Sequence, residues 1–314
     1  MAAPSARAGA PFEVQGHRGA RGLWPENTLV GFANTCALGV TALELDCAVT
    51  RDGVAVISHD PRPNPDHTRD ASGRFLAAAG PLICSQTYEQ LRQYDVGRLR
   101  PGSAYAAEFP EQQPVDGERI PRLSELFALI AARRDTTVRF NIEAKVFPLD
   151  PGWTVAPEAF VAALVAEVRG ANMQSRAVIQ CFDWRVLTIA QRLAPEIATG
   201  ALTDQQGQDD TVYLGRREPS PWLGSLDVRD FAGSVPRLAK ASGATIWSPN
   251  YLDVSAAAVI EAQSLGLKVI PWTVNAPADM DRLVELGVDG LISDRPDLLR
   301  AVLKKRGRPV PTAA

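Results

Sequence analysis

A chain of 314 residues that is 46% hydrophobic can bury a large core, as one big α/β domain or as two smaller ones. Its formal net charge of −3 and isoelectric point near 5.7 argue against nucleic acid as a partner. No stretch approaches the ~18 consecutive apolar residues of an integral membrane span.

Taken from the N-terminus, "MAAPSARAGAPF" is small and polar and lacks the apolar centre of a signal peptide. A cytoplasmic protein is therefore expected, with a processed periplasmic form as the alternative. Eight short, apolar, β-rich runs follow: 12–17, 41–49, 137–143, 177–182, 197–202, 244–248, 267–274 and 288–293. Helical patterns lie after them at 28–38, 122–134, 157–169, 183–193, 235–242, 255–265, 277–286 and 296–304. Capping residues open several, such as Asp183 and Ser255, and Gly39, Gly266 and Gly287 close others. Thr28 reads as the cap of the first. Eight strand–helix units predict a TIM (β/α)8 barrel as one domain over 1–314, with a doubly wound open sheet as the alternative.

One stretch breaks the alternation. Residues 61–118, after the second strand, are rich in Pro, Gly, Asp and Gln, with one short helical pattern at 87–95. They are expected to form an inserted small subdomain over the barrel mouth, where insertions carry substrate contacts. A second irregular stretch, 204–234, with Trp222, is another candidate for the mouth. Cys36, Cys47, Cys84 and Cys181 show no CxxC spacing and read as reduced, mostly buried thiols. The basic "KKRGRP" at 304–309 reads as a solvated helix end.

Barrel chemistry gathers at the C-terminal ends of the strands. The first strand delivers His17 and Arg18 there. The second delivers Glu44 and Asp46, two apart and so on one face, and His59 with Asp60 follows shortly after. The third delivers Glu143 and Lys145. The seventh brings Trp272, placed at the rim to pack on a ligand's carbons, and the eighth brings Ser293 and Asp294. Three inward carboxylates need compensating charge. An oxygen-only set of Glu44, Asp46 and Glu143 suits a hard divalent cation, Ca²⁺ or Mg²⁺. The alternative is a core salt network with Arg18 and Lys145. Of the three histidines, His17 and His59 fall at one mouth and read as an acid/base pair, while His67 has no assigned role.

"HRGARGLWPENTLVGF", "ELDCAVTRDGVAVISHD", "NIEAK", "PWTVN" and "VDGLISDRP" together resemble the ordered motif set of the glycerophosphodiester phosphodiesterase family, a phosphatidylinositol-phospholipase-C-like TIM barrel. The resemblance runs from residue 14 to 300. It implies a barrel with an insertion after the second strand, His17 and His59 as catalytic histidines, and Glu44, Asp46 and Glu143 as metal ligands. It further implies that Arg18 and Lys145 hold the phosphate. The implied reaction is metal-dependent hydrolysis of a glycerophosphodiester to glycerol 3-phosphate and an alcohol such as choline or ethanolamine. The substrate's own hydroxyl would attack first, through a cyclic phosphate, with His17 as base and His59 as acid. Two departures stand out: the longer "PRPNPDHTRDASG" after His-Asp, and Ser293-Asp294 where Thr-Asp is usual. A barrel that binds without catalysis is the second function class, and no motif residue is lost to support it. The apolar segments 73–83 and 104–109 keep lysophospholipid substrates open as a third reading. Homo-oligomers are compatible with all three.

Overall fold

The computed structural model describes residues 11–312. Eight parallel strands form its centre: β1 (Glu13–Gly16), β2 (Ala42–Val49), β4 (Arg139–Ala144), β5 (Ala177–Cys181), β6 (Ala198–Thr203), β7 (Ile246–Pro249), β8 (Lys268–Val269) and β9 (Gly290–Ser293). Hydrogen-bonded neighbours run in the order β8-β7-β6-β5-β4-β2-β1-β9. Backbone bonds from Asp289 N to Val269 O (2.9 Å) and from Ile292 N to Pro271 O (3.0 Å) join β9 back to the chain leaving β8. The ring is a TIM barrel. Gly290 is needed on the other edge of β9, where it faces β1, because a Cβ there would lie 2.4 Å from Glu13 Cβ.

Helices α1 (Leu29–Leu38), α4 (Leu123–Ala132), α5 (Pro157–Gly170), α6 (Trp184–Leu193), α7 (Val235–Ala241), α8 (Ala256–Ser264), α9 (Pro277–Glu285) and α10 (Pro296–Lys305) follow the barrel strands in turn along the chain. Their starts follow local chemistry. Thr28 Oγ1 accepts from Gly31 N, Asp183 from Arg185 N and Ser255 from Ala258 N. On α6, Trp184, Leu187 and Ala190 recur at helical spacing and all are buried against the sheet. Burying a side chain such as Leu187 stabilises the fold by about 1.5–3 kcal/mol.

The strand expected over 267–274 pairs regularly only at Lys268–Val269. Pro271 has no N–H to give, so the ladder stops there, although Trp272 N still donates to Pro249 O at 3.1 Å. The sequence reading also overlooked β3 (Ala55–Ile57), which returns antiparallel along β2. A tight turn makes this hairpin: Thr50 N donates to Val54 O, and Gly53 sits at φ +80°.

Residues 61–118 hold two short helices, α2 (Tyr88–Leu91) and α3 (Ala104–Glu108). Ile83, Leu91 and Val96 form a small apolar cluster with Ala48, Val56 and Ile120, separate from the main core. Inside the barrel, Val178, Ile246, Ile270 and Ile292 fill one side. The other side carries buried polar groups, Glu13, Gln15, Asn141 and Gln180.

Candidate active site

β1 ends at Gly16, and the chain turns at once. Arg18 (φ 49°), Gly19 (φ 73°) and Ala20 (φ 60°) are all left-handed, a conformation costing roughly 1–3 kcal/mol for each non-glycine residue. The turn aims Arg18 N at Glu44 Oε2, 2.9 Å away. It also sets His17 Nδ1 2.6 Å from Asp294 Oδ1, which requires the proton on Nδ1 and leaves Nε2 facing Glu44 Oε2 at 3.9 Å. Burial pushes the His17 pKa down, and the Asp294 carboxylate pulls against that shift. Asp294 itself is held well below the usual carboxylate range: burial opposes, but His17 and Arg21 prevail.

The hairpin after β2 brings the second histidine to the same place. Ser58 N donates to Asp46 O at 3.0 Å, so His59 emerges beside the end of β2. Its Nδ1 lies 2.7 Å from Asp60 Oδ1, and Asn64 Nδ2 donates to Asp60 Oδ2 at 2.6 Å. Burial, then Arg18 and Lys145, push the His59 pKa well below its ordinary value. Each histidine therefore has a carboxylate on Nδ1.

Glu44, Asp46 and Glu143 meet between the two histidines. β2 and β4 are neighbours with Asp46 opposite Glu143, and one oxygen from each of the three carboxylates lies within 4.8 Å of the others. Burial and the proximity of Asp46 and Glu143 push the Glu44 pKa well up. Asp46 moves the other way: burial opposes, but His59, Arg18 and Lys145 hold it low. Asp46 Oδ1 is buried without a hydrogen-bond donor. Hard oxygen donors, mutual repulsion and an unpaired buried oxygen are what a divalent cation would satisfy. The three residues form an acidic cluster suited to a metal ion.

The two cations expected at the phosphate are also drawn into this cluster. Lys145 Nζ donates to Glu143 Oε1 at 2.7 Å and lies 3.9 Å from Asp46 Oδ1. Arg18 Nη1 donates to Glu26 Oε1 at 3.1 Å, with Nε 3.3 Å from Asp46 Oδ2. Glu26 is accordingly held down to about 2, against its burial, mainly by Arg18. Both cations still face the open cavity, which measures about 510 Å³ and is also lined by His17, His59, Glu44 and Glu143. Trp272 lines it too, its Nε1 bonded to Ser248 O at 2.9 Å and its ring edge-on to Phe182 at 5.3 Å.

The outer wall comes from the loops after β4 and β6. Phe147, Leu149, Asp204, Asp210, Tyr213 and Trp222 line it, and none of the lining residues falls within 61–118. That segment reaches the site from behind instead. Tyr105 donates to Glu26 and accepts from Arg21 Nη1, and Gln112 Nε2 donates to Arg21 O. His67 lies there as well, its ring 6.0 Å from Tyr105.

The partners of two motif residues here were not assigned from sequence. Asp294 accepts from Arg21 Nε and Asn275 Nδ2 as well as meeting His17. Asn27 Nδ2 donates to Asp46 Oδ2 at 3.0 Å. "SDRP" and "PENT" were visible as motifs, but the pairing of β9 with β1 that carries Asp294 to His17 is a closure that linear sequence does not display.

The model of the "Glycerophosphoryl diester phosphodiesterase family" matches residues 17–298. A glycerophosphodiester phosphodiesterase of Caldanaerobacter subterraneus subsp. tengcongensis is 28% identical over 94% of this chain and 98% of its own. A crystal structure from Silicibacter pomeroyi DSS-3, of a protein assigned the same activity, is 36% identical, covers 96% of both chains and superposes with a TM-score of 0.84. An Oleispira antarctica phosphodiesterase solved with its product sn-glycerol-3-phosphate shares the fold at TM-score 0.67 and 23% identity, over 95% of this chain and 99% of that one. With its motif residues gathered at one barrel mouth and the family model spanning nearly its whole length, this chain belongs to the glycerophosphoryl diester phosphodiesterase family.

Proposed function

We propose that this protein hydrolyses glycerophosphodiesters to glycerol 3-phosphate and an alcohol, with Glu44, Asp46 and Glu143 holding a divalent cation, Ca²⁺ or Mg²⁺. The observation that carries the reading is the pairing of two carboxylate-backed histidines across one acidic cluster in an open cavity. Glu44, Asp46 and Glu143 crowd one another beside the cavity, and a cation held among them would relieve that repulsion and offset the charge of an incoming anion. When bound, the cation neutralises the phosphodiester and the charge that grows on it.

Arg18 and Lys145 face the same cavity and complete the anion's surroundings. His17, proton on Nδ1 and Nε2 free, takes the proton of the substrate's own glycerol hydroxyl as that oxygen attacks phosphorus. His59, protonated on Nε2 once the bound phosphodiester offsets the charges of Arg18 and Lys145, gives that proton to the departing alkoxide. A cyclic phosphate results, and water opens it with the two roles reversed. Trp272 packs on the glycerol carbons. The leaving alcohol lies against the outer wall of Phe147, Phe182, Trp222 and Asp210. An aromatic and acidic wall suits a cationic alcohol better than a second anion. Residues 61–118 act as a small subdomain that supports the Arg18–Glu26 side through Tyr105.

No described helix is long and apolar enough to cross a membrane.

The test compares glycerophosphocholine with an analogue whose attacking hydroxyl is replaced by hydrogen, and with lysophosphatidylcholine. An oriented internal nucleophile is worth effective molarities of about 10⁵ M or more, so the deoxy analogue should turn over far more slowly. Comparable kcat on both would refute the cyclic route. Preference for lysophosphatidylcholine would move the substrate class to lipids.

A further inference from the structure

The floor of the barrel is joined to the acidic cluster by three buried amides. Gln15, Asn141 and Gln180 are 2, 4 and 2% exposed, and they occupy positions that most barrels fill with aliphatic side chains. Asn141 Nδ2 donates both its hydrogens, to Gln15 Oε1 and to Gln180 Oε1, each at 2.9 Å. Gln15 Nε2 donates downward to Glu13 Oε2 at 3.1 Å. Gln180 Nε2 donates upward to Glu44 Oε1 at 3.1 Å.

The direction of this chain is fixed by chemistry. Both ends are carboxylates, Glu13 ionised as it stands and Glu44 ionised once a cation is held, and an ionised carboxylate only accepts. Glu13 is held ionised by Arg139 and by Lys268 Nζ at 2.8 Å. Each glutamine must therefore turn its NH₂ outward and its carbonyl inward. Two inward carbonyls then need two donors from one side chain, which an asparagine NH₂ supplies and a hydroxyl or carboxylate does not. Asn141 Oδ1 is left buried without a partner, a cost expected to be of order 1–3 kcal/mol. A core selected for stability alone would place an aliphatic residue there.

At the upper end the effect falls on one carboxylate. Glu44 Oε1 takes Gln180 Nε2 and Oε2 takes Arg18 N, so both oxygens have a fixed donor and the carboxylate plane cannot rotate. The mouth alone supplies only the second of these.

We propose that Gln180, itself oriented by Asn141, is a positioning residue that presents Glu44 to the divalent cation through this one-way amide relay. The inference rests on the metal reading of the acidic cluster. Neither amide side chain belongs to the set of three carboxylates that would meet the ion. Outer partners of metal ligands typically contribute 10- to 100-fold in affinity.

The test is Ca²⁺ and Mg²⁺ affinity, measured by titration calorimetry without substrate, on the full chain and three variants. Gln180→Met removes the donor to Glu44 at nearly constant length. Asn141→Asp changes one atom that is two side chains away from the ion. An ionised Asp at 141 would turn both glutamines round and face Glu44 with a carbonyl, whereas a protonated one offers one hydrogen where two are needed. Gln15→Met breaks only the lower arm and leaves Asn141 bonded to Gln180. We expect Gln180→Met and Asn141→Asp to weaken binding roughly 10- to 100-fold, and Gln15→Met to change it less than about threefold. Melting curves identify a variant that has not folded. The isosteric Asn141→Asp carries the test if Gln180→Met is lost. Parent-like affinity in Asn141→Asp overturns the relay, and so does an equal loss in Gln15→Met, which would mean general disturbance of the lumen. A parent protein that binds neither ion removes the metal reading and the relay with it, and the parent titration shows this separately.

Discussion

Replacing Asp294 with Asn isolates the electrostatic part of the His17 dyad. Asp294 Oδ1 meets His17 Nδ1 at 2.6 Å and Arg21 Nε at 2.7 Å, while Oδ2 accepts from Asn275 Nδ2 at 2.7 Å. An asparagine can keep a carbonyl oxygen for His17 and Arg21, at the cost of the bond from Asn275 Nδ2, which then faces an NH₂; the ring keeps its acceptor, but the negative charge is gone. A carboxylate and an imidazolium with centres about 4 Å apart interact by about 4 kcal/mol at an effective dielectric of 20. The surviving neutral hydrogen bond retains about half the strength of the charged one. The loss therefore lies between about 2 and 4 kcal/mol, or roughly 30- to 1000-fold in kcat. KM should stay near the parent value, because Asp294 is not among the residues lining the cavity. Asp294 raises the His17 pKa against burial. Its removal should therefore move the acidic limb of the kcat/KM profile, where a base is lost to protonation, to lower pH. The assay follows glycerol 3-phosphate released from glycerophosphocholine with saturating divalent cation, beside a melting curve. A kcat within about threefold of the parent, or a loss confined to KM, would refute the dyad.

Two further outcomes follow from the same geometry. Chelation should abolish hydrolysis, and Ca²⁺ or Mg²⁺ at 100 times its dissociation constant should both restore activity and stabilise the fold by about 2.7 kcal/mol, read as a rise in Tm; an unchanged Tm would exclude Glu44, Asp46 and Glu143 as ligands. His59→Ala should lower kcat by on the order of 10²–10⁴ at constant fold, whereas His67→Ala, a residue not among those lining the cavity, should lose little. Equal damage from both would place the acid/base chemistry elsewhere on that wall.

The barrel was legible because its signals are local. Helix starts at Thr28, Asp183 and Ser255 need only a capping oxygen and the turn that follows. Glu44 with Asp46 and Glu143 with Lys145 were placed on common faces by the two-residue period of a strand, and the register of β2 against β4 brings the two pairs together. What escaped was set by closure and by loops. β3 was missed because three residues are too few to show a period. Residues 204–234, a candidate for the mouth from sequence, do line it beside the loop after β4, whereas 61–118, expected over the mouth, supply Tyr105 from behind, and their pattern does not say which way they fold. The amides were hardest of all. Gln15, Asn141 and Gln180 are ordinary polar residues on three different strands, and 126 positions separate the first two. Their meaning depends on two carboxylates, Glu13 below and Glu44 above, that only the folded ring aligns. The alternative of a core salt network was physically sound, since Arg18 and Lys145 do pair with the carboxylates. What tells against its being the whole account is arithmetic of charge at the mouth. Arg18 is shared between Glu26 and Asp46, Lys145 between Glu143 and Asp46, and Glu44 has no cationic side chain of its own except an imidazole at 3.9 Å. A self-sufficient network would not leave its central carboxylate so placed, held by two neutral N–H donors and open to a cavity.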